Sequence, residues 1–338
     1  MPSTVRSALN RYATRLVTRS ATIVGVLLLL AQPTAAATMV NGDFETGTLA
    51  GWTKVGIPAS GGSGGWFAYS GLNAPVSREW KSGEEVPRII PPPPQGNFAA
   101  ITDEVGFYGT RILYQDIPLE PGMTHSLSLI TYYNSAAEIT VPTPDTLSSE
   151  GGGNQQYRID VMKPSAAIDS VNPADILATV FRTQNGAVNF TVPLIRTVDL
   201  TPFSGQVVRL RLAEVDSLGY LNAGVDEVTI QSIPRNEFSF GKLRLNPKKG
   251  TATLKVDVPW SGTLAAVDVE KKRRRIRKAT VTATGPGTVS LKLKPTEAGK
   301  KRLKREHKLP FRLKVTFAPT GGTAARKIFS GKLKMTAK

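Results

Sequence analysis

Asn41-Gly42-Asp43-Phe44-Glu45, followed closely by Gly51-Trp52, is the stretch on which the fold turns. It stands where an export leader ends. Upstream, Arg6, Arg11, Arg15 and Arg19 make a positive region, and Ala21 to Ala31 (ATIVGVLLLLA) makes an apolar run. Gln32-Pro33-Thr34 breaks that run, and Ala35-Ala36-Ala37 offers small residues to a signal peptidase. The apolar run is shorter than the ~20 residues a membrane-spanning helix needs. Residues 1–37 therefore read as a cleaved signal peptide, and the mature chain is expected outside the cell, secreted or surface-associated.

The 338 residues include no cysteine, which in an exported chain rules out a disulfide framework, thiol nucleophiles and thiolate metal sites. Charge divides the mature sequence. Residues 38–234 hold 11 Lys and Arg against 20 Asp and Glu, a net of −9, whereas residues 235–338 hold 28 against 6, a net of +22. The change falls at Ile233-Pro234-Arg235-Asn236 and marks a domain boundary.

Both segments read as β. In the acidic one, short alternating runs occur at 108–117, 125–133, 156–162, 178–182, 188–194, 207–215 and 225–230, separated by Gly- and Pro-rich turns. Two stretches, Thr53 to Phe98 and Ala136 to Gln155, are long for loops of a compact domain, and long loops often carry binding. In the basic segment seven runs, at 238–245, 251–258, 263–269, 279–284, 288–293, 311–317 and 327–335, place Lys or Arg at many alternate positions. One face of each run is then apolar and the other charged. Glu297 to Lys308 is the one helical stretch.

The opening stretch resembles that of galactose-binding-like jelly rolls, especially carbohydrate-binding modules found beside bacterial xylanases and glucanases. Gln95-Gly96-Asn97-Phe98-Ala99-Ala100, Leu113-Tyr114-Gln115-Asp116-Ile117 with Glu120-Pro121-Gly122, and Gly224-Val225-Asp226-Glu227-Val228 extend the resemblance over residues 39–231. The basic segment resembles lysine-rich immunoglobulin-like domains of secreted actinobacterial proteins, through Leu243 to Ala252 and Phe311 to Phe317. The expected architecture is all-β: a jelly-roll β-sandwich over 38–234, then a smaller immunoglobulin-like β-sandwich over 235–338.

The jelly-roll resemblance implies a structural calcium ion joining the first and last strands. Carried over residue by residue, its ligands are the carboxylates of Glu45 and Asp226 and backbone oxygens of Asp43 and Phe98. Gln95 stands where another carboxylate often lies and offers a neutral oxygen. The competing reading makes Glu45 and Asp226 surface acids at strand ends.

Trp66, Tyr69 and Trp80, in the long early stretch, are the candidate sugar-stacking residues, since an aromatic ring joins a flat apolar face to a polar handle. They could instead pin that stretch to the sandwich. Tyr132-Tyr133 lie at a strand end, and Trp52 and Trp260 read as core. Catalysis has little material. His125 and His307 fall in different segments, His125 reading as a solvent-facing or strand-capping residue, and the adjacent acids Asp103-Glu104 and Glu84-Glu85 read as solvated turns. The run Lys271 to Lys278 has almost no aromatic neighbours, which disfavours specific nucleic-acid recognition. The implied function is non-catalytic binding of glycan through the jelly roll. The alternative is a structural or adhesive surface protein held to anionic cell-envelope polymers by its basic module.

Overall fold

A computed structural model describes residues 39–58, 65–75, 89–103, 108–270 and 274–336. The signal-peptide expectation for residues 1–37, with Trp80, Glu84, Glu85, Glu104 and the start of the basic run at 271–273, lies outside the described residues. Among the described residues, no helix is long and apolar enough to cross a membrane.

The first half carries β1 (Thr53–Pro58), β2 (Trp66–Tyr69), β3 (Ala99–Thr102), β4 (Gly109–Pro118), β5 (Met123–Ser135), β6 (Gln156–Met162), β7 (Ile176–Arg182), β8 (Phe190–Asp199), β9 (Val207–Asp216) and β10 (Leu221–Pro234). They form two antiparallel five-stranded sheets, a front sheet ordered β1-β4-β9-β6-β7 and a back sheet ordered β2-β3-β10-β5-β8. Strands far apart in sequence are thus neighbours in both sheets. Leu113, Ile117, Ile159, Val161, Leu210 and Leu212 from the front sheet meet Trp66, Leu127, Leu129, Ala223 and Val225 from the back sheet in one apolar core. Burial of the apolar side chains along the strands supplies the driving force, at roughly 25 cal/mol per Å² of apolar surface.

The second half carries β11 (Ser239–Asn246), β12 (Thr251–Val258), β13 (Gly262–Asp268), β14 (Ala279–Ala283), β15 (Gly287–Leu293), α1 (Glu297–Glu306), β16 (Lys308–Pro319) and β17 (Ala325–Lys334). A three-stranded sheet, β11-β12-β15, packs on a four-stranded one, β14-β13-β16-β17. Leu254, Val256 and Leu291 face Leu264, Phe311, Leu313 and Phe317 across that core. The helix starts where Thr296 accepts a hydrogen bond from the Gly299 N–H at 3.1 Å, and it ends at His307 in the left-handed region.

The chain is therefore all-β, two sandwiches in series, and the strands read from alternation are present within a few residues of their expected limits. Three strands escaped that reading. β1, β2 and β3 lie in or just beyond the stretch taken as one long loop, because two of them are only four residues long and β3 (Ala99–Thr102) is buried along its whole length. Trp66 and Tyr69 are consequently strand residues.

The opening stretch docks on the closing strand. Pairing of β10 with β5 shifts register between Asp226 and Thr229, leaving a bulge whose Val228 N–H donates to the Gly42 carbonyl at 2.9 Å. A Cβ at Gly42 would lie 2.0 Å from the Val228 oxygen, so only glycine permits this approach. Phe44 enters the core behind it and stacks on Trp52, ring centroids 5.6 Å apart.

The two sandwiches meet at a close seam. Gly122 sits so near the Pro259 carbonyl that a Cβ there would be 2.1 Å from it. Met123, the first residue of β5, is buried in the second core, and the Arg235 N–H donates to the Gly122 carbonyl at 2.9 Å.

Candidate functional site

Three regions bear on function. The first lies where the opening stretch, the 95–98 loop and the β10 bulge converge. Glu45 Oε1 accepts the N–H groups of Asn97 (2.7 Å) and Phe98 (2.9 Å), which hold its pKa below the usual carboxylate value. Asp226 accepts the N–H of Gln95 at 2.9 Å and that of Glu227 at 2.7 Å. Asp43 Oδ1 accepts the Glu45 N–H at 3.4 Å. Gly96, at φ +56°, permits the turn; a Cβ there would fall 2.2 Å from Glu45 Oε1.

Glu45, Gln95, Phe98 and Asp226 are thus drawn into one neighbourhood, with Gln95 and Phe98 entering through backbone N–H donors. Asp226 is fully buried, and burial first, then the nearby charges of Glu227 and Glu45, push its pKa up to about 7. Among the described residues, none of these acids pairs with a Lys or Arg side chain. A buried carboxylate beside like charges suits a hard cation, with the N–H groups of Gln95, Asn97, Phe98 and Glu227 already taking part of the acids' oxygen capacity. Among the described residues no cluster of three or more acidic or His side chains surrounds a metal-sized space, so backbone oxygens would have to complete the shell.

The second region is the outer face of the front sheet, and its own loops cover most of it. On β6 and β9, Asp160 accepts Arg158 Nε and Arg211 Nη2, each at 2.6 Å, with all three side chains buried. Arg211 Nη1 in turn donates to the carbonyls of Ile168 (2.8 Å) and Ser170 (2.7 Å), clamping the 163–175 loop to the sheet. Asp145 reaches down to Arg158 (2.8 Å) and Arg182 (3.0 Å), and Leu147 packs on Ile112, Ala213 and Val215. The Ala136 to Gln155 stretch, expected as a loop free to bind, is in large part a lid on the sheet. What stays partly open is Tyr114, with Arg209 at 4.3 Å from its ring centroid and Asp116 fixing that guanidinium through bonds of 2.6 and 2.9 Å.

Two of the aromatic candidates, Trp66 and Tyr69, sit inside. Trp66 is 0 % exposed and donates Nε1–H to the Arg111 carbonyl at 3.1 Å. Tyr69 is 4 % exposed; its hydroxyl bonds the Tyr132 hydroxyl and donates to the Pro91 carbonyl at 2.8 Å. Neither presents a face to a ligand here, and both pin the strand to the sandwich. Tyr132 and Tyr133 are likewise buried, within β5. His125 corrects its solvent-facing expectation: it is buried, with Nδ1 bonded to Ser232 Oγ and Nε2 to the Glu120 carbonyl, both at 2.8 Å.

One buried cluster corrects a sequence expectation, since Asp103, read as part of a solvated turn, is buried. Arg111 meets Asp103 (3.3 Å), Glu214 (3.1 Å) and Asp216 (2.7 Å), all shielded from solvent. Burial raises the pKa of Glu214 well above the ordinary value and pushes Asp216 up to about 7, against the opposing pull of Arg111. Alternation in β9 places Glu214 and Asp216 on the core side, but nothing in the sequence marks that end of the core as polar.

The third region is the surface of the second sandwich. Lys242, Arg244, Lys292 and Lys294 lie exposed on or beside the three-stranded sheet, and Lys308, Arg312, Lys314, Arg326, Lys332 and Lys334 on the four-stranded one.

No protein-family model matches the chain, and no curated protein does. Among solved structures it is similar to TmCBM61 in complex with β-1,4-galactotriose, at 10 % identity over 58 % of this chain and 99 % of that one, TM-score 0.35. It is also similar to the adhesin domain of Epf from Streptococcus pyogenes (13 % identity, 71 % and 78 % covered, TM-score 0.39). A third is the K1 cleaved adhesin domain of Lys-gingipain from Porphyromonas gingivalis W83 (15 %, 56 % and 95 %, TM-score 0.31). At these scores the fold class rests on the strand pairing described above, and no ligand or activity is transferred.

Proposed function

We propose that the protein is an exported, non-catalytic binding protein of adhesive kind, whose basic second sandwich holds anionic cell-envelope polymers. One observation carries this reading: many solvent-facing positions of that sandwich are occupied by Lys and Arg, in a segment with 28 cations and 6 acids. A surface of one sign raises the local concentration of an oppositely charged polymer and speeds its capture. The burial of Glu214 and Asp216 beneath Arg111, and of His125, supports a binding role over a catalytic one.

Glycan recognition by the first sandwich is the second reading. It is favoured by the half-open Tyr114 ring beside Arg209 and Asp116, where a sugar could meet an aromatic edge and fixed polar groups. Calcium, held by Glu45 and Asp226 with backbone oxygens near Asp43 and Phe98, is proposed as a tie between the opening and closing segments.

Binding of the full chain to arrays of neutral and anionic glycans tests both readings. Anionic ligands should be retained at low salt and released near 0.5 M, where charges are screened beyond about 4 Å. Salt-resistant binding lost in Tyr114→Ala supports the glycan reading. Failure to retain any anionic polymer at low salt refutes the adhesive one.

A further inference from the structure

The cations of the four-stranded sheet are not scattered. Burial alternates strictly along the first part of β16, with Leu309, Phe311, Leu313, Val315 and Phe317 inside, so Lys308, Pro310, Arg312, Lys314 and Thr316 point outward. Antiparallel pairing sets these opposite Lys334, Lys332, Ser330, Ile328 and Arg326 of β17, in that order. Wherever one strand lacks a cation the other supplies it. Pro310 faces Lys332, Thr316 faces Arg326, Ser330 faces Arg312, Ile328 faces Lys314, and Lys308 faces Lys334. Five successive outward rungs therefore each carry at least one positive charge, at a spacing of about 6.8 Å and over a length of about 27 Å.

No acid interrupts the row. The outward positions of the neighbouring strands are Thr263, Ala265 and Val267 on β13 and Thr280 and Thr282 on β14. Among the described residues none of the six ladder cations takes part in an ion pair. Charged residues on a sheet edge commonly guard against aggregation, and β17 is an edge strand. That role does not account for Arg312 and Lys314, because β16 is hydrogen-bonded on both sides there.

We propose that this face is a binding site for an extended polyol-phosphate chain, one phosphodiester per rung. The proposal rests on the adhesive reading and gives its partner a chemistry. A backbone with six bonds between phosphates, as in poly(glycerol phosphate), has an extended repeat of about 7 Å, twice the reach of a three-bond peptide unit. That repeat matches the rungs. Beside the third rung a cleft of about 330 Å³ opens between Arg275 and Arg312, walled by Pro310 and Ser330. Arg275 is held there by donating to the Pro310 carbonyl at 3.3 Å. Two acids also border the cleft: Asp268 spends its oxygens on the N–H groups of Glu270, Arg275 and Ile276 and so shapes the loop, while Glu270 is exposed at the cleft edge, off the row of rungs. A single-stranded nucleic acid has a similar phosphate repeat but binds with stacked bases. Here every aromatic of the second sandwich turns toward the core, Phe311, Phe317 and Phe329 included.

The test titrates the full chain with a synthetic glycerol phosphate oligomer long enough to span five rungs. Two triple variants are compared, Arg312→Gln/Lys314→Gln/Lys332→Gln on the ladder and Lys242→Gln/Arg244→Gln/Lys292→Gln on the other sheet. Both remove three charges from exposed positions, and thermal melts confirm that each folds. With a salt slope of about 0.7 per phosphate contacted, the ladder variant should lose about two units of slope and bind about a hundredfold more weakly near 0.1 M salt. The control variant should stay within about threefold of the parent. Equal weakening in both variants overturns the ladder while leaving the adhesive reading standing. No binding by the parent chain overturns that reading itself. Tighter binding of an oligothymidylate of equal charge, or of phosphatidylglycerol vesicles, overturns the assigned partner.

Discussion

Asp160→Asn is the substitution by which the buried lid of the front sheet is most sharply judged. Asp160 is 0 % exposed and answers two guanidinium groups, Arg158 at 2.6 and 3.1 Å and Arg211 at 2.6 Å, with a further bond from Thr179 Oγ1 at 3.2 Å. The amide keeps the shape and removes the charge. Arg158 would retain Asp145, but Arg211 would be left with two carbonyls, no direct ion pair and only the weaker field of Asp169. Burial already draws the Arg211 pKa down, and Asp160 is the chief group opposing that pull. Removing one member of a buried ion network costs about 3–5 kcal/mol, because the surviving charge stays desolvated. At about 2–4 °C per kcal/mol for a protein of this size class, the melting temperature should fall by roughly 6–20 °C. Calorimetry reads the loss, and hydrogen exchange should locate it in the 163–175 loop. Arg211→Met in the Asp160→Asn background should cost less than the sum of the two single changes, by about 0.5–3 kcal/mol. A melting temperature of Asp160→Asn within about 2 °C of the parent would mean that water reaches these guanidiniums, and the lid would be wrongly described.

Stability should also depend on pH in a definite sense. Asp216 and Asp226 have folded-state pKa values near 7 and Glu214 is raised as well, whereas unfolded carboxylates titrate near 4. The folded state thus holds protons that the unfolded state has released, and the stability these groups contribute is full below about pH 4 and is lost as pH rises through about 7. The urea midpoint in chelator should therefore fall between pH 5 and pH 8; a rise over that interval contradicts the burial of these acids. Calcium at about 100 times its dissociation constant should restore roughly 2.7 kcal/mol at pH 8. Identical melting curves with chelator and with calcium, or an undiminished calcium effect in Asp226→Asn, would remove the proposed tie.

Much of the fold was legible because alternation is a direct consequence of a half-buried strand. Thr251 to Val258 and Gln156 to Met162 were delimited to the residue, the first by its period of two and the second by its place between turn-rich stretches. β2 and β3 were not, since four-residue strands give a periodic pattern too little length. The metal candidates were legible only through the likeness of the opening stretch, and the structure draws most of them into one neighbourhood. Trp66 and Tyr69 offer no platform for a simple reason. Burial satisfies Trp66 and Tyr69 fully, through Arg111 and Pro91 carbonyls that come from remote parts of the chain. The Arg158–Asp160–Arg211 network was equally hidden, because β6 is buried on both faces and its charges do not announce which face they occupy. The cation ladder lies between these cases. Alternate Lys and Arg were plain in the sequence, but only the pairing of β16 with β17 reveals that the gaps of one strand are filled by the other.

The seam at Gly122 leaves no slack between the halves. With Met123 sunk in the second core and Pro259 pressed on Gly122, the passage from Pro234 to Phe238 is a hinge without play, not a tether. Two ends joined in this way cannot search independently, so whatever grips the ladder fixes the bearing of the other sandwich. Simultaneous attachment at both ends is then decided by the spacing of sites on the target, as with the jaws of a fixed gauge.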